Sequence, residues 1–208
     1  MHKKKVLIGT GNEAKIIEIG KFLSLYGIES VSPRELGIDI DPDETGNTLE
    51  ENALIKLRAY QEVAPGMFVI VDDAGLEIDA LGGEPDIHVR RWKDKQTRMT
   101  DEEIIGYAME RLSGVPLERR SARFRSVAAL AKPNGETEFA VGELSGFIME
   151  KPADFRMPGF PFAPIFYISE WSMTLGEAHG LAPEKNSQRL SHREKALLKL
   201  IPTIQKES

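Results

Sequence analysis

The chain has 208 residues, 41% of them apolar and 29% charged, with a formal net charge of −6 and no cysteine. That length suits one good-sized domain or a domain with a small lobe, and the missing thiols exclude disulfides, thiolate catalysis and cysteine zinc sites. The negative balance argues against partners that are nucleic-acid polymers, and no run approaches the roughly 18 apolar residues of a membrane span.

The start, Met1-His2-Lys3-Lys4-Lys5, passes at once into apolar residues rather than a signal-peptide core, which points to a cytoplasmic protein. Val6-Leu7-Ile8-Gly9 reads as a short strand that runs through Thr10-Gly11-Asn12-Glu13-Ala14-Lys15 into a helix. Ile16, Ile19, Phe22, Leu23 and Tyr26 recur there at helical spacing. A strand, a glycine turn and a helix start make a natural anion site, to which Lys15 adds a full charge. A plain connecting loop with a solvated lysine fits this stretch equally well.

Ile28-Glu29-Ser30-Val31 suggests a second strand, and Pro33 to Gly46 a loop rich in acids, Asp39, Asp41, Asp43 and Glu44. A loop carboxylate facing Asp72 or Asp73 would complete an oxygen-ligand site of the kind Mg²⁺ prefers. Thr48-Leu49-Glu50-Glu51 is a capping box opening a helix with Ala53, Leu54, Leu57 and Ala59 in core spacing, on which Lys56 reads as a surface residue.

Phe68-Val69-Ile70-Val71 is a buried strand, and Asp72-Asp73-Ala74-Gly75 is expected to stand where it leaves the core. Neighbours in an extended chain point to opposite faces, so one aspartate is expected to face a site while the other braces the turn. Leu76 to Pro85 reads as strand or turn, followed by a cationic loop with His88, Arg90 and Arg91. Thr100-Asp101-Glu102-Glu103 is a second capping box.

Residues 122–131 and 139–148 read as long strands joined at Pro133-Asn134-Gly135, an antiparallel hairpin. In the aromatic and proline loop 157–166, Phe160 and Phe162 suit either stacking on a flat base or a place in the core. Ser191-His192-Arg193-Glu194 forms a third capping box, with Lys185 and Arg189 just upstream, and makes the stronger of the two candidate anion sites.

Six motifs therefore appear in order: Gly9-Thr10-Gly11-Asn12 with Lys15, Glu44-Thr45-Gly46, Glu51-Asn52-Ala53, Asp72 through Gly83, Pro158-Gly159-Phe160 with Pro164-Ile165-Phe166, and Ser191-His192-Arg193. This series resembles the Ham1 family of inosine and xanthosine triphosphate pyrophosphatases along essentially the whole chain. The resemblance implies an α/β, two-lobed ITPase-like fold with a long central mixed sheet flanked by helices. Residues 1–208 would form one domain of two lobes, with the nucleotide between them and a homodimer as the assembly. It also implies Mg²⁺-dependent hydrolysis of non-canonical purine nucleoside triphosphates such as ITP, dITP and XTP to the monophosphate and pyrophosphate.

Carried over by motif, Thr10, Gly11, Asn12 and Lys15 would hold phosphates, and Glu44 and Asp73 would bind the metal. Asp73 would activate the attacking water, with Lys15 as its catalytic partner. Phe160 would stack on the base, and Lys185, His192 and Arg193 would contact base and phosphate. Departures fall on the substrate side. Ala74 replaces a serine that would help bind phosphate, and Pro161-Phe162-Ala163 stands for glycine-aromatic-aspartate, so the acid expected to read the base is missing. Val89 and Glu194 also differ from the family's usual serine and glycine, and a longer loop makes Arg189 a rival for the role of Lys185. Base preference is accordingly expected to be altered. The alternatives are a catalytically weakened nucleotide-binding paralogue and a hydrolase of another phosphate anhydride.

Overall fold

The structure is a computed structural model that describes residues 5–181 and 189–206. Its strands build a mixed sheet in the order β2-β1-β3-β5-β6-β7-β8, with β4 paired to β3. The strands are β1 (Val6–Ile8), β2 (Ser30–Val31), β3 (Phe68–Ile78), β4 (Pro85–Asp86), β5 (Ser121–Ala131), β6 (Thr137–Ile148), β7 (Phe166–Ile168) and β8 (Met173–Thr174). The helices are α1 (Glu13–Leu25), α2 (Leu49–Val63), α3 (Asp101–Arg111), α4 (Leu175–His179) and α5 (His192–Lys206). No described helix is long and apolar enough to cross a membrane. The chain divides into two compact units. One comprises the residues up to Ala74, Ser126–Gly142 and the chain from His192; the other is Gly75–Arg125 with Glu143–Ser191.

In the first unit, β1 lies parallel to both β2 and β3, with Val6, Leu7 and Ile8 opposite Phe68, Val69 and Ile70. These strand residues are buried on both faces, as expected of parallel strands. Helix α1 turns Ile19, Phe22 and Leu23 inward, and α2 turns Ala53 and Leu57 inward, as the sequence spacing indicates, while Leu54 and Ala59 are half-buried and Tyr60 joins the buried face. The hairpin is present too, its turn closed by Lys132 and Glu136 with Gly135 at φ +90°.

Helix α5 lies so close to β6 that a Cβ at Gly142 would run into the carbonyl oxygen of His192 and reach 2.5 Å from the amide nitrogen of Ala196. Neither backbone group can step aside without shifting the helix. Gly142→Ala is therefore expected to lower stability by about 1–3 kcal/mol, as overpacking does, and urea unfolding reads it directly. An unchanged midpoint would mean that α5 rides farther from β6.

β3 runs farther than the sequence suggests. The strand does not leave the core at Asp72 but continues through Asp72, Asp73, Ala74 and Gly75 to Ile78, eleven residues in all. Gly75 is not a turn residue: it permits the backbone of Asp86 on β4 to approach, since a Cβ there would lie 2.7 Å from the Asp86 carbonyl oxygen. The two acids thus sit in mid-strand, just before the chain passes from the first unit into the second.

The second unit has its own apolar core, in which Trp92, Phe124, Phe162 and Phe166 meet Ile104, Ala108 and Leu112 of the α3 segment. The rings pack edge to face, with centroids 4.7 Å apart for Phe124 and Phe166 and 5.3 Å for Trp92 and Tyr107. Thr100 caps α3 in a two-way box with Glu103, as its sequence indicates. The box expected at Thr48 forms only by half. Thr48 accepts from the Glu51 amide, while Glu51 turns its carboxylate to the amide of Asn47.

Candidate active site

The first unit gathers charge around the mid-strand aspartates. Alternation along β3 sends them to different partners, as the pleat requires. Asp72, 2% exposed, receives the Lys15 ammonium at 2.8 Å, the Nε–H of Arg193 at 2.8 Å and the hydroxyl of Ser126. Asp73, 6% exposed, receives Lys56 Nζ at 2.7 Å, and the same nitrogen lies 2.8 Å from the carboxylate of Glu44. Arg193 closes the cluster by donating from Nη1 to Glu18 at 2.5 Å.

Among the described residues, Lys15, Lys56 and Arg193 thus pair with the carboxylates of Glu18, Glu44, Asp72 and Asp73. Burial favours neutral Asp72, but Arg193 and Lys15 outweigh it and hold the carboxyl well below its usual range. For Asp73 burial is the largest influence and raises the carboxyl against the pull of Lys56 and Lys15. Burial also opposes the charge on Lys56, yet Asp73 and Glu44 push its ammonium up to about 12. Lys15 is lowered by burial, with Asp72 pulling the other way and Arg193 and Lys56 adding to the lowering.

Glu44 and Asp73 are close enough to share one ammonium nitrogen, so both carboxylates point at a common cation position. Oxygen donors that leave room for water and phosphate oxygens match what Mg²⁺ takes from proteins, usually one or two carboxylates. The pair fits such a cation. Among the described residues no group of three metal-binding side chains occurs, so the remaining ligands of a metal held here would be water or phosphate oxygens.

The helix start behaves differently from the simple anion nest expected. Asn12 caps α1 with its own Oδ1, which accepts from the amides of Ala14 and Lys15 at 3.0 and 3.4 Å, and Thr10 accepts from the amide of Asn12. Two of the unpaired N–H groups are thereby engaged within the chain. Gly11 is exposed and Lys15 half-buried at the same turn.

Arg193, which the family resemblance assigns to base and phosphate, is 3% exposed, with its guanidinium between Glu18 and Asp72, where it ties α5 to α1 and β3. His192 stands beside it, also buried, at the first position of α5. Lys185 lies outside the described residues, and its rival Arg189 is half-buried. Lys56 is corrected as well: it is 8% exposed and central to the cluster rather than on the surface. The signal was available, because Asn52, Ala53, Lys56, Leu57 and Tyr60 form one buried stripe of α2. Glu18, in register with Ile19 and Phe22 on α1, was missed in the same way.

In the second unit, Phe160 is half-buried, its ring centroid 5.7 Å from that of His179. Phe162, the other candidate for stacking, is 2% exposed and packed by Trp92 and Phe124. Its ring is committed to the core, which was one of the two readings the sequence allowed. Ala163 is 1% exposed and carries no group to reach a base edge; Ala74 is half-buried.

Comparison with known proteins bears on the whole chain. The Ham1 family pattern matches residues 6–203. A dITP/XTP pyrophosphatase of Symbiobacterium thermophilum is 37% identical over 98% of this chain and 96% of its own length, and one of Bacillus subtilis is 36% identical over 95% of each. The solved Staphylococcus aureus Ham1 protein superposes with a TM-score of 0.75 at 32% identity, covering 99% of this chain and all of that one.

Proposed function

As the chain belongs to the Ham1 family, we propose that it is a nucleoside triphosphate pyrophosphohydrolase acting on non-canonical purine nucleotides of the dITP and XTP class. The observation that carries this reading is the convergence of Glu44 and Asp73 on one cation position, filled here by Lys56 Nζ, next to the Lys15–Asp72 pair. A triphosphate brings about four negative charges, which need local cations and a metal to be held and cleaved.

Glu44 and Asp73 would hold Mg²⁺, which when bound would neutralise charge on the bridge oxygen being cleaved. Asp73 orients the attacking water and takes its proton as the new oxygen–phosphorus bond forms, while the phosphoanhydride bond breaks and pyrophosphate leaves. Lys56, which occupies the common cation position in this structure, supplies one ammonium for phosphate oxygens, and Lys15 adds a second for the same chain. Thr10, Gly11 and Asn12 line the turn at which those oxygens would lie. Positioning of this kind accounts for most of phosphoryl-transfer catalysis.

On the base side Phe160 supplies the stacking face, with His192 and Lys185 as further contacts. Arg193 serves as the internal anchor of the cluster. A site that reads a base edge by hydrogen bonds rejects analogues strongly, and Ala163 offers none, so base selectivity should be broad. Two copies would form the working homodimer, which sedimentation reads.

The test is a panel of dITP, XTP, ITP, dATP and dGTP with Mg²⁺, following pyrophosphate and monophosphate together. The expected result is equal release of both products, fastest with the 6-oxopurine non-canonical substrates but by a margin under about 100-fold. Release of orthophosphate, or turnover of no triphosphate, would contradict the assignment.

A further inference from the structure

The second unit holds a small ion-pair bracket that no step above uses. Arg90 donates from Nη1 to Asp101 Oδ1 at 2.5 Å and from Nη2 to the carbonyl oxygen of Gly159 at 2.9 Å. The other oxygen of Asp101 accepts from the Gly159 amide at 2.8 Å. One glycine is therefore gripped by both its N–H and its C=O, at a residue whose φ of +87° few side chains tolerate. The next residue is Phe160, followed by Pro161, whose ring fixes its own φ and restricts the residue before it.

Both arms of the bracket stand on firm ground. Asp101 is the first residue of α3, just after the Thr100 cap. Arg90 sits in the short turn Val89–Arg91, two residues from the buried Trp92, and its carbonyl oxygen accepts from the amide of Met99 at 2.8 Å. The pair is about a quarter exposed on each side, so its direct gain in stability is small; exposed pairs contribute about 1 kcal/mol or less. Its consequence is orientation. Gly159 before Phe160 is held at both its N–H and its C=O, Pro161 after it has a fixed φ, and the ring stands against His179.

Resting on the reading above that Phe160 stacks on the base, we propose that Arg90 and Asp101 are positioning residues for base recognition. They clamp Gly159 so that the Phe160 ring is held ready before the nucleotide arrives. Ordering a side chain at the moment of binding costs affinity, and a ring already ordered avoids that cost.

Arg90→Ala and Asp101→Asn are compared with the unaltered protein on dITP hydrolysis and on inhibition by inorganic tripolyphosphate, which has no base. KM for dITP should rise about five- to tenfold in both variants, with kcat and the tripolyphosphate inhibition constant unchanged, and Arg90→Lys should recover part of the loss. In parallel, Phe160→4-fluorophenylalanine gives a fluorine resonance in the protein without nucleotide. That line should be single and narrow, and should broaden or shift when Arg90→Ala is added. Equal loss on dITP and tripolyphosphate, or an unmoved fluorine line, would overturn the proposal. Should the unaltered protein cleave no triphosphate, the proposed function falls, while the fluorine comparison still decides whether the bracket orders the ring.

Discussion

Asp73→Asn is expected to lower kcat/KM for dITP by about 10²- to 10⁴-fold, the range that loss of a positioned proton acceptor produces. The asparagine is nearly isosteric but binds a metal poorly and takes no proton from water. Folding should survive. Burial, the largest influence on Asp73, already disfavours its charge, and Lys56 keeps Glu44 as a partner when that charge is removed. The melting temperature should therefore stay within a few degrees of the unaltered protein while turnover falls by that factor. If Asp73→Asn turned over dITP within a few-fold of the original, Asp73 would have to be reassigned from chemistry to structure.

The second large effect is on stability. Arg193→Ala should cost about 3–5 kcal/mol, because removing one member of a buried charge network leaves its partners uncompensated. Here the groups that lose the guanidinium are Glu18 and Asp72, both buried, and Asp72 keeps Lys15 and Ser126. At about 2–4 °C per kcal/mol for a chain of this size, the melting temperature should fall by about 10 °C. Arg193→Lys should recover only part of this, since one ammonium cannot reproduce a fork that reaches two carboxylates at once. A melting temperature unchanged in Arg193→Ala would show that the guanidinium is not the anchor between α1, β3 and α5. Activity loss without destabilisation would return it to the role of phosphate contact.

Much of the fold was legible because it follows from local pattern. Val6-Leu7-Ile8, the α1 stripe of Ile19, Phe22 and Leu23, the Thr100 cap and the hairpin at Asn134-Gly135 each announce themselves within a dozen residues. The continuation of β3 through Asp72 and Asp73 did not. Two adjacent acids and a glycine read locally as a strand end, and what permits their burial is supplied from far along the chain by Lys15, Lys56 and Arg193. Such compensation has no signature in a short window. The same distance effect hid the pairing of Arg193, since Ser191-His192-Arg193 reads locally as an anion site and Glu18, the carboxylate that its guanidinium meets, lies far back along the chain. Ser126, one of several small residues on β5, could not be singled out at all. Lys56 reads as a surface residue in isolation, although its register on α2 places it inward.

The central claim is that Glu44 and Asp73 together hold a divalent cation against the triphosphate. Mn²⁺ titration followed by electron paramagnetic resonance, with a non-hydrolysable dITP analogue present, tests it without relying on turnover. The expected result is one tight site in the unaltered protein, weakened at least about tenfold in Glu44→Gln and again in Asp73→Asn, a loss no smaller than removing a supporting group near a metal produces. Mn²⁺ binding of equal strength in all three proteins would contradict it.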